Sequence, residues 1–269
     1  MIDRAVHPPD RQLGGYIDSY VCLSSDQRTD HQILPADCAS LWVVVRGQAT
    51  LNCGPETRNA IWPATLTGPF HRHHRLGMIG PTMLFGARLT PAGWGGLIPQ
   101  DAHRLTNKAK NAALILGPAV EQLQAAMSKC SKLDEMAELA NRFFAARMKA
   151  IPLSHQRANR ALTDWLASAP RPAPDMVSQH LKMSARQVER IANRYWGAPP
   201  RTLDRVNRAL RAAASICAGN EAAEAFSDAS HMIREVKRVT GHTPRQLQSL
   251  RLNPYHRLYP PKVQDCNSD

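Results

Sequence analysis

The sequence predicts an α+β protein: a β-rich sandwich or barrel-like domain with added helices, followed by an all-α domain built from two helix-turn-helix units. Three observations carry this. Short β-rich runs separated by Gly, Pro and Asn turn signals fill the first part of the chain, at GYIDSYVCL, SLWVVVRG, ATLNC, NAIWPATLTG and TMLFGARLTP. Beyond about residue 150 the apolar spacing turns helical. The stretch Ser184–Leu203 then recurs, shifted by 44 positions, as Asp228–Leu247.

In the first half, Arg46-Gly47-Gln48 reads as a hairpin turn between two strands. Helices are expected near 112–127 and 133–149, the second with Leu133, Met136, Leu139, Ala140 and Phe143 at helical spacing. Trp42, Trp62 and Trp94 read as core or pocket-lining residues. The domains are expected at 1–150, 151–252 and a poorly ordered tail at 253–269.

Composition narrows the function classes. No apolar run is long enough to span a membrane and the first residues lack a signal-peptide core, so a cytoplasmic protein is expected. Six scattered cysteines include no CxxC pair, leaving a disulfide framework or zinc module unsupported. The net charge of +12 is uneven: residues 1–150 carry 16 Lys/Arg against 12 Asp/Glu, and residues 151–269 carry 18 against 10. Basicity therefore concentrates where the repeat lies. Between Lys182 and Arg211 eight basic residues face only Glu189 and Asp204, which suits a solvated face, a membrane surface or a nucleic acid.

The spacing chooses among these. Ser184 and Gln187 form a capping-box signal, so a helix starts here and runs over 185–196. Val188, Ile191, Ala192 and Tyr195 make its apolar stripe, and Arg186, Arg190 and Arg194 a basic one. Gly197 supplies the stop, with Pro199 and Pro200 behind it. Upstream, MVSQHL after PRPAP predicts a short helix capped by Asp175, with Lys182-Met183 as the turn. Two short helices with a basic second member form a helix-turn-helix, whose second helix enters the major groove of duplex DNA. Arg186 and Arg190 are placed to reach base edges, and Arg194, one turn further, a phosphate.

The second copy repeats the layout over 229–239. Met232, Val236 and Val239 point inward, Arg234, Lys237 and Arg238 outward, and Gly241 and Pro244 form the stop. Between the copies, 201–218 reads as one helix spanning about 27 Å. Neighbouring major grooves on one DNA face lie about 34 Å apart, within reach of such a pair.

These residues resemble the AraC/XylS family of bacterial transcription regulators, over roughly Ser154–Leu250. The resemblance rests on SARQVERIANRYWGAPP, the RVNRALRAA linker and FSDASHMIREVKRVTGHTP. It implies a seven-helix DNA-binding domain with two helix-turn-helix units. It puts Arg186, Glu189 and Arg190 on the groove side of the first reading helix, and Ala229, Ser230 and Arg234, with His231 beside them, on the second. Ser184, at the cap, and Arg201, just past the stop, complete the expected DNA-contacting set. The sequence departs from the family at NEAAEAF, where Ala225 replaces a usual Gly and the supporting helix of the second unit looks short. The first unit is therefore expected to carry most of the specificity. In the first half, ILPADCASLWVVVRG and GARLTPAGWGGLIPQDAHRLTN look like the sensing or dimerising domain ahead of certain members, which implies a homodimer, a small-molecule effector, or both.

One alternative comes from PFHRHHR. On a strand, His71 and His73 would share one face and could ligate a metal, giving a metal-dependent, cupin-like β-barrel enzyme with a helical appendage. No Glu lies nearby in sequence to complete the set, and a basic exposed loop fits the same residues. AGWGGL lacks the strand–GxGxxG–helix context of a phosphate cradle. The primary expectation is a non-enzymatic regulator with no cofactor or metal, partnered by double-stranded DNA.

Overall fold

A computed structural model describes residues 2–54, 58–168, 175–220 and 228–249, and among these described residues an eight-stranded antiparallel sheet combines with ten α-helices. The expected α+β class is observed. The strands are β1 (Asp3–His7), β2 (Ile17–Ser25), β3 (Thr29–Leu34), β4 (Ser40–Asn52), β5 (Arg58–Ala60), β6 (Ala64–Thr67), β7 (His74–Leu89) and β8 (Ala109–Asn111). The main path through the sheet is β1-β2-β7-β4-β6-β8, with β3 added to β7 and β5 to β4.

The long strands β4 and β7 form the spine, and they explain why the expected hairpin at Arg46-Gly47-Gln48 is absent. SLWVVVRG and ATLNC are one strand interrupted by a bulge, where the register against β7 shifts on both sides of Arg46. Gly47 takes φ +80°, and a Cβ there would collide with the Pro81 carbonyl oxygen. A tight two-residue hairpin turn and a bulge built on a left-handed glycine both use positive φ, so the local signal is the same for each. The extra residue reverses the side-chain parity. Before it, Leu41, Val43 and Val45 face the helices; after it, Ala49 and Leu51 point to the opposite core with Leu76, Met78 and Leu84.

The first of these cores is closed by α1 (Pro91–Leu97), α2 (Ala113–Leu116), α3 (Ala119–Met127) and α4 (Leu133–Ala145). The single helix expected over 112–127 is broken at Gly117, φ +75°, and Pro118. Phe85, Trp94 and Phe144 are fully buried here, each contributing about 1.5–3 kcal/mol of apolar burial. Tyr20 donates its hydroxyl to Asn141 at 2.7 Å, tying β2 to α4.

The remaining helices are α5 (Leu153–Ala167), α6 (Asp175–Leu181), α7 (Ala185–Trp196), α8 (Pro200–Cys217), α9 (Ala229–Thr240) and α10 (Pro244–Gln248). They build three small cores, one of them Ile151, Ala158, Ile191 and Tyr195, where α7 meets α5 and the residues just before it. Leu162, Trp165, Val177, Val188, Ala192 and Leu203 join α5, α6, α7 and the start of α8. Val206, Leu210, Ala213, Val236, Val239 and Leu247 join the rest of α8 to α9 and α10, and Ala36 from the β-rich half completes that cluster. The breaker run 170–174, the segment NEAAEAF beyond Asn220 and the tail from 253 lie outside the described residues.

Candidate nucleic-acid interface

Two helices of twelve residues each present the predicted reading faces. In α7 the capping box forms as the sequence requires: Ser184 Oγ accepts from the Gln187 amide, and Gln187 Oε1 accepts from the Ser184 amide at 2.8 Å. Val188, Ile191, Ala192 and Tyr195 are all buried, so the opposite side must face solvent. Arg186, Glu189 and Arg190 are exposed there. Lys182, in the preceding turn, takes φ +50°, and the Met183 amide bonds back to the Ser178 carbonyl at 3.1 Å.

The second helix is built alike. Asp228 caps α9 by accepting from the His231 amide at 2.7 Å. Val236 and Val239 are buried, Met232 is half-buried, and Ala229, Ser230, Arg234 and Lys237 are exposed, with Ile233 among them. Arg201 is exposed on the first turn of α8. Because α8 has eighteen residues, it separates the two units by about 27 Å of helix.

Two of the expected contact residues turn elsewhere. Arg238 is held at 2.9 Å by Glu235 and donates to the carbonyl of His71 at 2.9 Å. Burial pushes the Glu235 carboxyl up, but the hydrogen bond and charge of Arg238, with Arg205 and His231, outweigh it and leave the group below its ordinary range. Arg194 lies over the Tyr195 ring, 5.5 Å from its centroid, and approaches Asp101 at 3.9 Å. His231 is half-buried.

Sequence reasoning missed the seat on which both helices end. His71 and His73 lie in a loop before β7 and not on a strand face. His71 Nε2 donates to the Trp196 carbonyl at 3.1 Å, and His73 Nδ1 to the Arg238 carbonyl at 3.0 Å. A carbonyl only accepts, so both rings carry a proton on the bonded nitrogen. Burial drives the His71 pKa down to about 4, with the Trp196 hydrogen bond opposing the shift and the Arg238 charge adding to it, so this ring is neutral at pH 7. For the metal alternative, these nitrogens are already engaged. Among the described residues no group of three or more His, Cys, Asp or Glu is arranged to hold a metal.

Inside the sheet, Leu34, Trp42, Leu51, Leu76 and Thr65 line a small cavity with His74, whose Nδ1 is buried without a hydrogen-bond partner among the described residues. Its volume of about 20 Å³ has room for one water and not for an organic ligand. No described helix is long and apolar enough to cross a membrane.

Residues 5–111 match the model of a family described as a domain of unknown function (DUF6597). No curated protein matches. Among solved structures, ToxT from Vibrio cholerae superposes with a TM-score of 0.46 at 9% identity, covering 94% of this chain and 99% of that one. Wild-type ToxT from Vibrio cholerae strain SCE256, bound to an unsaturated fatty acid, gives 0.43 at 12% identity, over 93% and 96%. The AraC-like transcriptional activator CuxR gives 0.27 at 13% identity, over 81% and 88%.

Proposed function

We propose that this chain is a sequence-specific, DNA-binding transcription regulator that reads the major groove with α7 first and α9 second. The observation that carries this reading is the duplication itself. Two capped helices of equal length end in the same left-handed glycine, expose polar and basic faces, and stand on one continuous connecting helix. Arg186 and Arg190, long exposed donors, suit base edges, with Glu189 between them. Ser230, Arg234 and Lys237 form the corresponding set on α9, with Ser184, Arg201 and His231 near the phosphates. Arg194 and Arg238 contribute by holding the helices against the β-rich half.

In the same reading, residues 1–150 form the domain that dimerises or takes up a signal, and residues 151–252 the DNA-binding domain. An organic effector entering the sheet's cavity would require it to widen. The test is a selection of duplex fragments from random DNA by the purified full-length chain, followed by a salt titration. An enriched sequence whose affinity falls steeply with salt is expected, because neutralised phosphates release counterions. Enrichment of no sequence, or binding indifferent to salt, overturns the reading.

A further inference from the structure

The loop Pro69–His73 touches the ends of both reading helices, and one residue in it touches both at once. The His71 ring donates to the Trp196 carbonyl at the end of α7, while the His71 main-chain carbonyl accepts from the Arg238 guanidinium of α9. Two residues on, the His73 amide and ring both donate to the Arg238 carbonyl, at 3.1 and 3.0 Å. The last carbonyls of a helix have no partner within it, so these bonds satisfy groups that would otherwise require water. Flanking bonds reinforce each end: Thr106 Oγ1 donates to the Gly197 carbonyl at 2.8 Å, and the Ala36 amide to the Val239 carbonyl at 2.9 Å.

The loop is itself fixed. Asp37 and Phe70 exchange backbone hydrogen bonds at 3.0 and 2.8 Å, joining it to the segment that carries Ala36. Arg88, buried, holds Asp37 at 2.6 Å and Asp18 at 3.0 Å. Arg72 reaches the Cys53 carbonyl at 2.9 Å. Helices joined to each other through α8 and their small cores thus also share one abutment, at the ends opposite their Ser184 and Asp228 caps.

We propose that His71 and His73 are positioning residues: by bonding the C-terminal carbonyls of α7 and α9 to one loop, they set the separation and mutual orientation of the two reading helices. The proposal rests on the regulator reading, and it predicts that the β-rich half confers selectivity for the spacing between two contacted DNA segments. An N–H donor at each position is the required chemistry. Gln offers a comparable donor at the reach of His Nε2, and Asn at that of Nδ1.

Two measurements test it. The first needs no DNA: paired spin labels are introduced as unnatural amino acids at positions 185 on α7 and 233 on α9 of the full chain, leaving the cysteines untouched. A single narrow distance is expected in the parent. The His71→Ala/His73→Ala chain should give a broad distribution, and His71→Gln/His73→Asn should restore the narrow one. The second uses the best duplex from the selection, with one to three base pairs inserted between its two protected segments. The parent should lose about tenfold or more in affinity on insertion, and the double-alanine chain should discriminate about twofold or less. If the double-alanine chain does not fold, His73→Ala alone, which removes a half-buried ring donor from the Arg238 carbonyl, takes its place with broadening again expected.

An unchanged narrow distance in a folded variant, or an unchanged spacing preference, overturns the proposal. A narrow parent distance that broadens in the variant, together with no sequence-specific binding by either chain, overturns the regulator reading and leaves the positioning of the helices standing.

Discussion

Gly197 and Gly241 adopt the same left-handed conformation, φ +78° at each, and both turn directly against the β-rich half. They are equivalent positions of the internal repeat, so a local device for ending a helix has been used twice as a contact surface. A Cβ on Gly197 would lie 2.5 Å from Thr106 Oγ1 and 2.8 Å from the Pro69 ring. One on Gly241 would collide with Ile33 Cγ2 and lie 3.0 Å from the His73 ring.

Alanine at either position should therefore cost more than backbone strain alone. The control is Gly219, which has φ +80° and open space within 4 Å of where a Cβ would stand. Gly219→Ala should lower stability by about 1 kcal/mol, the ordinary cost of a left-handed L-residue. Gly197→Ala and Gly241→Ala should each cost about 2–4 kcal/mol, since a tight contact adds to that strain. Urea denaturation of the three variants measures the difference. Equal losses at all three positions would show that the contact is soft.

The abutment also depends on Arg88. Its guanidinium is buried, and although burial works against its charge, Asp37, Cys38 and Asp18 hold the pKa above the ordinary arginine value. Removing one partner should strand part of that charge. Asp37→Ala is expected to destabilise the chain by about 3 kcal/mol. Because Asp37 joins the Phe70 loop through its backbone, hydrogen exchange at the Phe70 and His73 amides should rise in the same variant. Slow exchange at both amides would sever the link drawn between Arg88 and the helix seat.

Stability should be acid-sensitive in a defined window. His71 and His74 are each pushed down from 6.5 to about 4, chiefly by burial; at His74 the Asp37 charge opposes the effect and His73 adds to it. A lowered histidine pKa favours the neutral ring in the folded chain. Below pH 6.5 the unfolded chain binds protons that the folded chain does not, so stability is full above pH 6.5 and falls as pH drops towards 4. The slope should approach about two protons per molecule. His74→Phe, which keeps a ring to stack on Phe70 3.9 Å away, should remove about one of them. A flat stability profile between pH 6.5 and 4 contradicts the burial of both rings.

Much of α7 was legible in the sequence because its signals are local: a capping box, an apolar stripe with the right period and a glycine stop, all between Ser184 and Gly197. The connecting helix was legible for the same reason. The bulge at Gly47 was not, since positive φ marks hairpins and bulges alike, and only pairing with β7 tells them apart. The division of α2 from α3 was in plain view at Gly117-Pro118, but the surrounding apolar pattern pointed to one helix. The seat of α7 and α9 was hidden for a different reason. His71 and His73 bond backbone carbonyls 125 and 165 residues away, and a carbonyl is present at every residue, so nothing in the partner's identity marks the contact. Read without those partners, the same histidines suggest a metal.

Arg190 and Arg201 are two exposed arginines with different expected partners in a DNA complex. Arg190 lies mid-helix, one turn beyond Arg186 on the solvent side of α7, and on the proposed function its long bidentate donor would meet a base edge. Arg201 lies past the glycine stop, at the start of α8, and on the proposed function it would reach the backbone of the duplex. Replacing Arg190 with Ala should cost about 1–3 kcal/mol of binding and relax the preference at one base position of the selected duplex. Replacing Arg201 with Ala should weaken all sequences about equally and lower the salt slope by about one. The two variants are separated by measuring affinity for the selected duplex and for its single-base variants at several salt concentrations. A uniform loss from Arg190→Ala would move that residue to the phosphates, and a position-specific loss from Arg201→Ala would bring the start of α8 into the groove.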